Sequence, residues 1–573
     1  MMKTKIQEGL KRPKIPAFKI QNVRISEEGQ LLRSWSVVQN DFFRIYCDEP
    51  LVLEVEFRNA VNQPKVFLYT NILAAEGQWE ELGFSHVQGM RFAITLMPSR
   101  TGIFLFKLKY SFDDGVHWFM DRTSFTKVIV DPCNSRNIRL YTLIPTASGH
   151  IGNWKEELLR IRDMGFTMVH LLPITRMGKS ESPYAAADLF DIDPSYLDPS
   201  DSRPGLDQFE DFVRFAKSEG IALCLDLVLN HVGIDSEMVK RSPEWIVPDK
   251  NEPDGLLRAG CWHMNSWIKW TDLARINYDV PEQQMKEELW QYMEDYVFFW
   301  SYYADYTGGM IRLDNLHSSH QQFMASMLGK LRKSFPKLVV QAEFFSDSNT
   351  LLKAVSESDL NLLLANPWEY PFAENLRVYL KYIHEISRKL RFLTPVSTHD
   401  TGSPAQIYGS PDAVVPRYFV TALMSTGQTG FVQGAEHGVL KKVEFIGRNL
   451  KVESTTPEKY SPMIKLINRI QSDYPAFEQG NNIQFIDKGH GALIVALRED
   501  HDSGEDRFIL CANLDTHGTH TISLDCSAWK KHGLILVLRD LIHQTIKPVK
   551  SDFFEMSIEP CGIRAFRMEY ADE

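Results

Sequence analysis

The chain has 573 residues, 44% hydrophobic and 24% charged, and a formal net charge of −11. That length exceeds one compact core and implies several domains, while the balanced composition excludes disordered and collagen-like classes. The negative charge argues against polyanionic partners, so neither nucleic acid nor a membrane surface is expected, and a neutral substrate fits better.

Seven cysteines (Cys47, Cys133, Cys224, Cys261, Cys511, Cys526 and Cys561) are scattered, odd in number and never paired as CxxC. That usage argues against a structural zinc site and against a disulfide framework. The opening stretch MMKTKIQEGLKRPKIP is basic but lacks the apolar core of a signal peptide, and no run of about 18 uncharged apolar residues follows. A reducing, cytoplasmic location is the resulting expectation.

From about residue 40 to 132 the apolar pattern has period two. LVLEVEF puts Leu53, Val55 and Phe57 on one face and Glu54 and Glu56 on the other, and FKLKY sets Phe106, Leu108 and Tyr110 against Lys107 and Lys109. This predicts an N-terminal β-sandwich over 1–134, Ig-like or carbohydrate-binding-like. Trp79 and Trp118 read first as sandwich packing, with sugar stacking the second reading.

From about 138 the pattern changes to apolar runs of five to nine residues alternating with helical stretches, the mark of βα units. Eight runs read as strands: IRLYTLIP, FTMVHLLPI, IALCLDLVLNHV, GMIRLDN, LVVQAEFF, LNLLLAN, FLTPVSTHD and TGFVQGAE. Between the second and third, LDQFEDFVRFAKSEG puts Leu206, Phe209, Val213 and Ala216 on one helical stripe and stops at Gly220, where a left-handed cap suits glycine. Eight such repeats predict an α/β fold, a (β/α)8 TIM barrel over 135–478. After His231 about fifty residues pass before the next long helix, read as a loop subdomain at about 232–285 walling one side of the cleft. ALIVAL, RFILCANL and LILVL then predict a closing C-terminal β-sandwich over 479–573.

Four segments end an apolar run in charged or imidazole side chains: DLVLNHV, GMIRLDNLHS, LVVQAEFF and PVSTHDTGSP. In a parallel barrel the chemistry collects where strands end, so Asp226, His231, Arg312, Asp314, Glu343, His399 and Asp400 should converge on one pocket. Splitting a neutral glycosidic bond requires one acid to protonate the leaving oxygen while another carboxylate attacks the sugar carbon. No GxSxG elbow, GxxxxGK[ST] phosphate loop or HExxH pair points elsewhere.

In order and content the four segments resemble the signature regions of glycoside hydrolase family 13, the α-amylase superfamily. SPYAAADLFDIDPSY, DLARINYDVPE and GAEHG are similar to further family segments, so the likeness covers about 135 to 480. The resemblance implies that Asp314 is the nucleophile, Glu343 the general acid/base and Asp400 the third carboxylate on the ring hydroxyls. It gives His231 and His399 to the same sugar and Tyr184 to the ring it stacks on. Arg312, two residues before Asp314 on one strand, should point the same way and keep it ionised. Asp226 is expected to support Arg312 rather than take part in the chemistry.

DNLHS, with AEFF and THD, resembles most the glucanotransferase half of glycogen debranching enzymes, and His317 is expected to contact acceptor-side sugars. The DNxH run is shared with maltosyltransferases using maltose 1-phosphate, whose fourth region lacks the His399–Asp400 pair. The resemblance therefore implies a retaining enzyme on α-glucans or maltooligosaccharides, first a 4-α-glucanotransferase, with an α-amylase-type hydrolase and a maltosyltransferase as alternatives. No cofactor is expected. Calcium stays open only at Asn230, which matches a ligand position, because Ser318 stands where a histidine ligand is usual. Oligomeric state is left open.

Overall fold

The computed structural model describes residues 17–25, 31–32, 42–58, 62–120, 125–263, 266–452, 459–486, 490–500, 504 and 506–572. The basic segment 1–16, read as lacking a signal-peptide core, lies outside them. Two compact units emerge: Met1–Cys133 with Asp500–Asp506, and Asn134–Glu499 with Arg507–Glu573.

The first unit is built from two sheets. One runs in the order Leu31–Leu32, Ala17–Ile25, Leu51–Arg58, Arg91–Leu96, Ser85–Gln88; the other runs Phe42–Tyr46, Thr126–Asp131, Gly102–Ser111, Lys65–Thr70, Glu80–Gly83. The period-two pattern explains the layering, since Leu53, Val55 and Phe57 meet Phe106, Leu108 and Tyr110 in one core. Trp79 stacks on Tyr69 at 4.9 Å and Trp118 meets Phe67 edge-on at 5.6 Å.

In the second unit eight parallel strands close a barrel in chain order. They are β1 Arg139–Leu143, β2 Met168–Leu171, β3 Ala222–Val228, β4 Met310–Asp314, β5 Val339–Ala342, β6 Leu362–Leu364, β7 Phe392–Pro395 and β8 Thr429–Val432. Each is followed by one main helix: α1 Ile151–Asp163, α2 Gly205–Ser218, α3 Gln283–Tyr306, α4 Gln321–Ser334, α5 Ser348–Ser358, α6 Ala373–Ile386, α7 Val414–Leu423 and α8 Ser461–Asp473. Every predicted barrel strand is present. The strands are wholly buried or nearly so, because helices cover one side and the packed barrel interior the other. Helix α2 buries Phe209, Val213 and Ala216, and Gly220 closes its end at φ +72°. At the base of β4, a Cβ on Gly309 would lie 2.0 Å from the Leu223 carbonyl oxygen, so only glycine lets the two strands meet there.

The long excursion after β3 holds a short helix, Glu237–Arg241, and a three-stranded antiparallel sheet in the order His231–Gly233, Ser266–Arg275, Arg258–His263. His231 therefore stands where the barrel strand hands over to the inserted sheet. The C-terminal strands form a six-stranded sheet and a two-stranded one that share a core including Leu493, Val495, Leu536 and Phe566. They belong to the same compact unit as the barrel. The buried Arg498 ties them to it, donating to the carbonyls of Leu423, the last residue of α7, and Ser425 at 2.7 and 2.8 Å. No helix among the described residues is long and apolar enough to cross a membrane.

Candidate active site

Strands β3, β4 and β5 end side by side, in a register that sets Asp226 opposite Arg312 and Val228 opposite Asp314. Arg312 is the hub. Its Nη1 donates to both oxygens of Asp226, at 2.8 and 2.7 Å, and to Oδ1 of Asp314 at 3.0 Å, while Nη2 donates to Oε2 of Glu343 at 2.8 Å. A planar guanidinium with several donors can hold three carboxylates at once, which a lysine ammonium cannot do in fixed geometry. The strand-alternation argument holds, for Arg312 and Asp314 do face one another.

Side-chain exposure differs among the four carboxylates. Asp226 is 0% exposed, Asp314 11%, Glu343 19% and Asp400 51%. Asp226 also accepts from the Tyr184 hydroxyl at 2.9 Å and meets His170 Nε2 at 3.1 Å, so its lone pairs are spent inside the protein. Burial works against its charge, yet Arg312 and His170 hold its carboxyl well below the usual range.

Asp314 differs. Burial acts first and pushes its carboxyl well above the usual range, Glu343, Asp226 and Asp400 add to the rise, and Arg312 opposes it. Arg312 favours the charge on Asp314, as its position on the same strand implies, but shares Nη1 with Asp226, and burial among three neighbouring carboxylates works against it.

Glu343 is fixed by the turn after β4. Asn315 adopts the left-handed conformation at φ +44°, its backbone N–H donates to Glu343 Oε2 at 3.1 Å, and Leu316 N–H donates to the Glu343 carbonyl at 2.9 Å. An asparagine tolerates that conformation better than most residues, a physical reason for the DN pair. His317, in the same turn, is exposed at the rim, 6.0 Å from the Phe344 ring. The inserted sheet closes in from the other side. Burial and then the charge of Glu343 push up the thiol of Cys261, on the strand Arg258–His263.

His399 lies beneath Tyr184, their rings parallel within 7° at 5.5 Å. Its Nε2 meets the Tyr184 hydroxyl at 2.6 Å and Asp400 Oδ2 at 2.9 Å. With Tyr184 donating to Asp226, an Nε2–H on His399 faces both acceptors. Desolvation works against charge on Asp400, but His399, Arg312 and Lys442 hold it down at about 2. His231 is buried, packs on Trp270 at 5.9 Å and has no hydrogen-bond partner on either ring nitrogen. Burial pushes its pKa down to about 4, so the ring is neutral and one N–H and one lone pair remain for a ligand.

All the residues named from the sequence thus lie at the carboxyl ends of the barrel strands or in the segments that follow. One residue was not foreseen. His170 on β2 buttresses Asp226 and is itself held by Thr142 Oγ1 at 3.1 Å on Nδ1. An imidazole inside the apolar run MVHLL was the only signal for it.

Asn230 has a buried amide oxygen without a hydrogen-bond partner. An amide oxygen is a donor of the kind calcium takes, and no step of the chemistry is routed through a metal.

An eight-stranded parallel barrel with carboxylates, a guanidinium and imidazoles gathered at its strand ends is the arrangement of a TIM-barrel enzyme site. The comparisons agree with that class. The family model "Glycogen debranching enzyme, glucanotransferase domain" matches residues 132–254. The chain is 26% identical over 429 residues to the alpha-1,4-glucan:maltose-1-phosphate maltosyltransferase of Salinibacter ruber, covering 68% of this chain and 62% of that protein. It is 24% identical over 397 residues to the Myxococcus xanthus enzyme of the same name, covering 62% and 55%. The chain thus spans less than two thirds of the curated relatives it matches. Among solved structures, a cyclomaltodextrinase superposes with a TM-score of 0.62 at 14% identity, over 93% of this chain and 99% of that one. An α-amylase from Geobacillus thermoleovorans gives 0.59 at 15%, over 76% and 98%. At such identity these two likenesses speak for the fold alone. Taken with the ordered segments, the matches show similarity to the α-amylase superfamily, glycoside hydrolase family 13.

Proposed function

We propose that the protein is a retaining α-glucan-active enzyme, a 4-α-glucanotransferase on maltooligosaccharides or glycogen. The observation that carries this reading is the single guanidinium of Arg312 bound to both Asp314 and Glu343, which puts nucleophile and acid in one cleft. Glu343 donates its proton to the glycosidic oxygen as Asp314 Oδ attacks the anomeric carbon. The bond to the leaving chain breaks and a glycosyl ester on Asp314 forms. Glu343, now a carboxylate, takes the proton from the hydroxyl of an acceptor chain, whose oxygen displaces Asp314 and restores the α-linkage.

Around that exchange, Tyr184 stacks on the sugar held at Asp314, and His231 and His399 hydrogen-bond its hydroxyls. Asp400, ionised beside His399, supports positive charge on the ring in the transition state. His317 stands on the acceptor side. The match to a glucanotransferase domain over 132–254 favours transfer over hydrolysis. We also propose a cytoplasmic location, on cysteine usage.

The names of the curated relatives favour a second reading, maltosyl transfer from maltose 1-phosphate. Mass analysis of products from maltotetraose separates the cases. Transfer between glucans gives a ladder of shorter and longer chains with little new reducing sugar. Steady reducing-sugar release without elongation overturns transfer in favour of hydrolysis. Elongation only when maltose 1-phosphate is added, with phosphate released, establishes the second reading.

A further inference from the structure

Immediately after Glu343, at Phe344, the chain enters the wall of a cavity of about 510 Å³, bounded by α5, α6, the end of β6 and the start of β7. Nothing in the mechanism uses it. The segment from Glu343 to Asp347 carries the proposed acid at one end and the cavity wall at the other.

The cavity's lining has a definite chemistry. Tyr370 and Tyr379 stack at 4.4 Å, and Tyr382 follows Tyr379 at 6.5 Å with its ring near parallel, so three rings run in series. Their orientation is fixed: the Tyr379 hydroxyl donates to Asn366 Oδ1 at 2.7 Å and accepts from Asn366 N–H at 3.0 Å, and the Tyr382 hydroxyl pairs with Ser348 at 2.9 Å. Phe345 adds a fourth ring, 39% exposed, and Asn375 an exposed amide.

Charge is absent from the lining except at Asp347, whose carboxylate caps α5 by accepting from Asn349 N–H, Thr350 N–H and the Thr350 hydroxyl. No Lys, Arg or His lines the cavity, so an anion such as a phosphate would have no counter-charge. The complement is a neutral ligand with apolar faces for the rings and hydroxyls for the amides, which describes a pyranose. The volume is that of a small-molecule site.

We infer that this cavity is a second carbohydrate-binding site, holding a short α-1,4-glucan segment of the polymer whose linkage is exchanged at Glu343. The inference rests on the α-glucan reading of the cleft. A second foothold turns rebinding of a long chain into an intramolecular event, so it acts on polymers and not on oligosaccharides too short to reach both sites.

Two measurements test it. In an Asp314→Ala background, calorimetric titration with maltoheptaose is expected to give two sites per chain, and one after Tyr382→Ala. In the otherwise native enzyme, Val378→Arg puts a long side chain at the exposed mouth, 67% accessible, without removing a ring. It should raise KM for glycogen by about tenfold and leave kcat/KM on maltotetraose within about twofold. A single maltoheptaose site in Asp314→Ala, or unchanged glycogen KM in Val378→Arg, overturns the inference while maltotetraose turnover upholds the functional reading. If the native enzyme processes no α-glucan, the functional reading falls and this inference with it.

Discussion

Arg312 places one nitrogen, Nη1, between the two oxygens of Asp226, at 2.8 and 2.7 Å. Asp226 thereby sets the guanidinium plane, and the remaining donor capacity reaches Asp314 and Glu343. Arg312→Lys keeps the charge and loses the fork. We expect kcat/KM on maltooligosaccharides to fall by about 10²-fold or more, the size seen when one preorganised donor is removed, with a thermal midpoint close to native. Near-native turnover would show that a point charge suffices.

Substitution of the proposed catalytic pair should separate their roles. Glu343→Gln loses the proton donor and base and is expected to lower turnover by about 10²-fold or more. Asp314→Ala should abolish labelling by a fluorinated glycosyl reagent that traps the native enzyme. In a crystal structure the Asp314 and Glu343 carboxylates should lie about 5 to 5.5 Å apart, the spacing of a retaining site, and a gap near 9 Å would indicate inversion.

Asp314 must be ionised to attack, and its carboxyl is pushed up by burial and by its acidic neighbours. Activity should therefore be lost, as pH falls, at a value above the ordinary aspartate pKa of about 3.9. A pH profile of kcat/KM with no acidic limb down to pH 4 would contradict this.

Two buried histidines couple stability to pH. Burial lowers His231 to about 4 and, with Arg498 adding, His384 to about 3. Unfolded, both bind protons near pH 6.5, so between those values the unfolded chain holds more protons than the folded one. Stability is then full above about pH 6.5 and falls as pH drops toward 4, by roughly 3 kcal/mol per histidine. Urea midpoints at pH 7 and pH 4.5 measure the loss, and His231→Gln should shrink it. Equal midpoints would show that neither ring is neutral in the fold.

Arg498 is fully buried and donates to four carbonyls, those of Ala476, Leu423, Ser425 and Gln479. Leu423 ends α7, where helix carbonyls lack intrahelical partners. Burial lowers the pKa of the guanidinium to about 9. Arg498→Leu strands these acceptors and should cost about 3 kcal/mol or more of stability in denaturant unfolding, while an unchanged midpoint would mean water replaces the guanidinium.

By itself, the sequence determined the order of elements, because a buried parallel strand must be apolar throughout and an amphipathic helix must repeat every three to four residues. The eight strands, the stripe of α2 with its Gly220 stop and the alternating faces around Leu53 and Phe106 were all legible in this way. So were Asp226, Arg312, Asp314, Glu343, His399 and Asp400, since each ends or closely follows a strand and barrel strands end together. Only the tertiary structure decided who shares whom. The three-way hold of Arg312, the support of Asp226 by His170 and the raised pKa of Asp314 depend on distances between β2, β3, β4 and β5. Those distances are set by barrel closure and burial, and neither is written in any one segment.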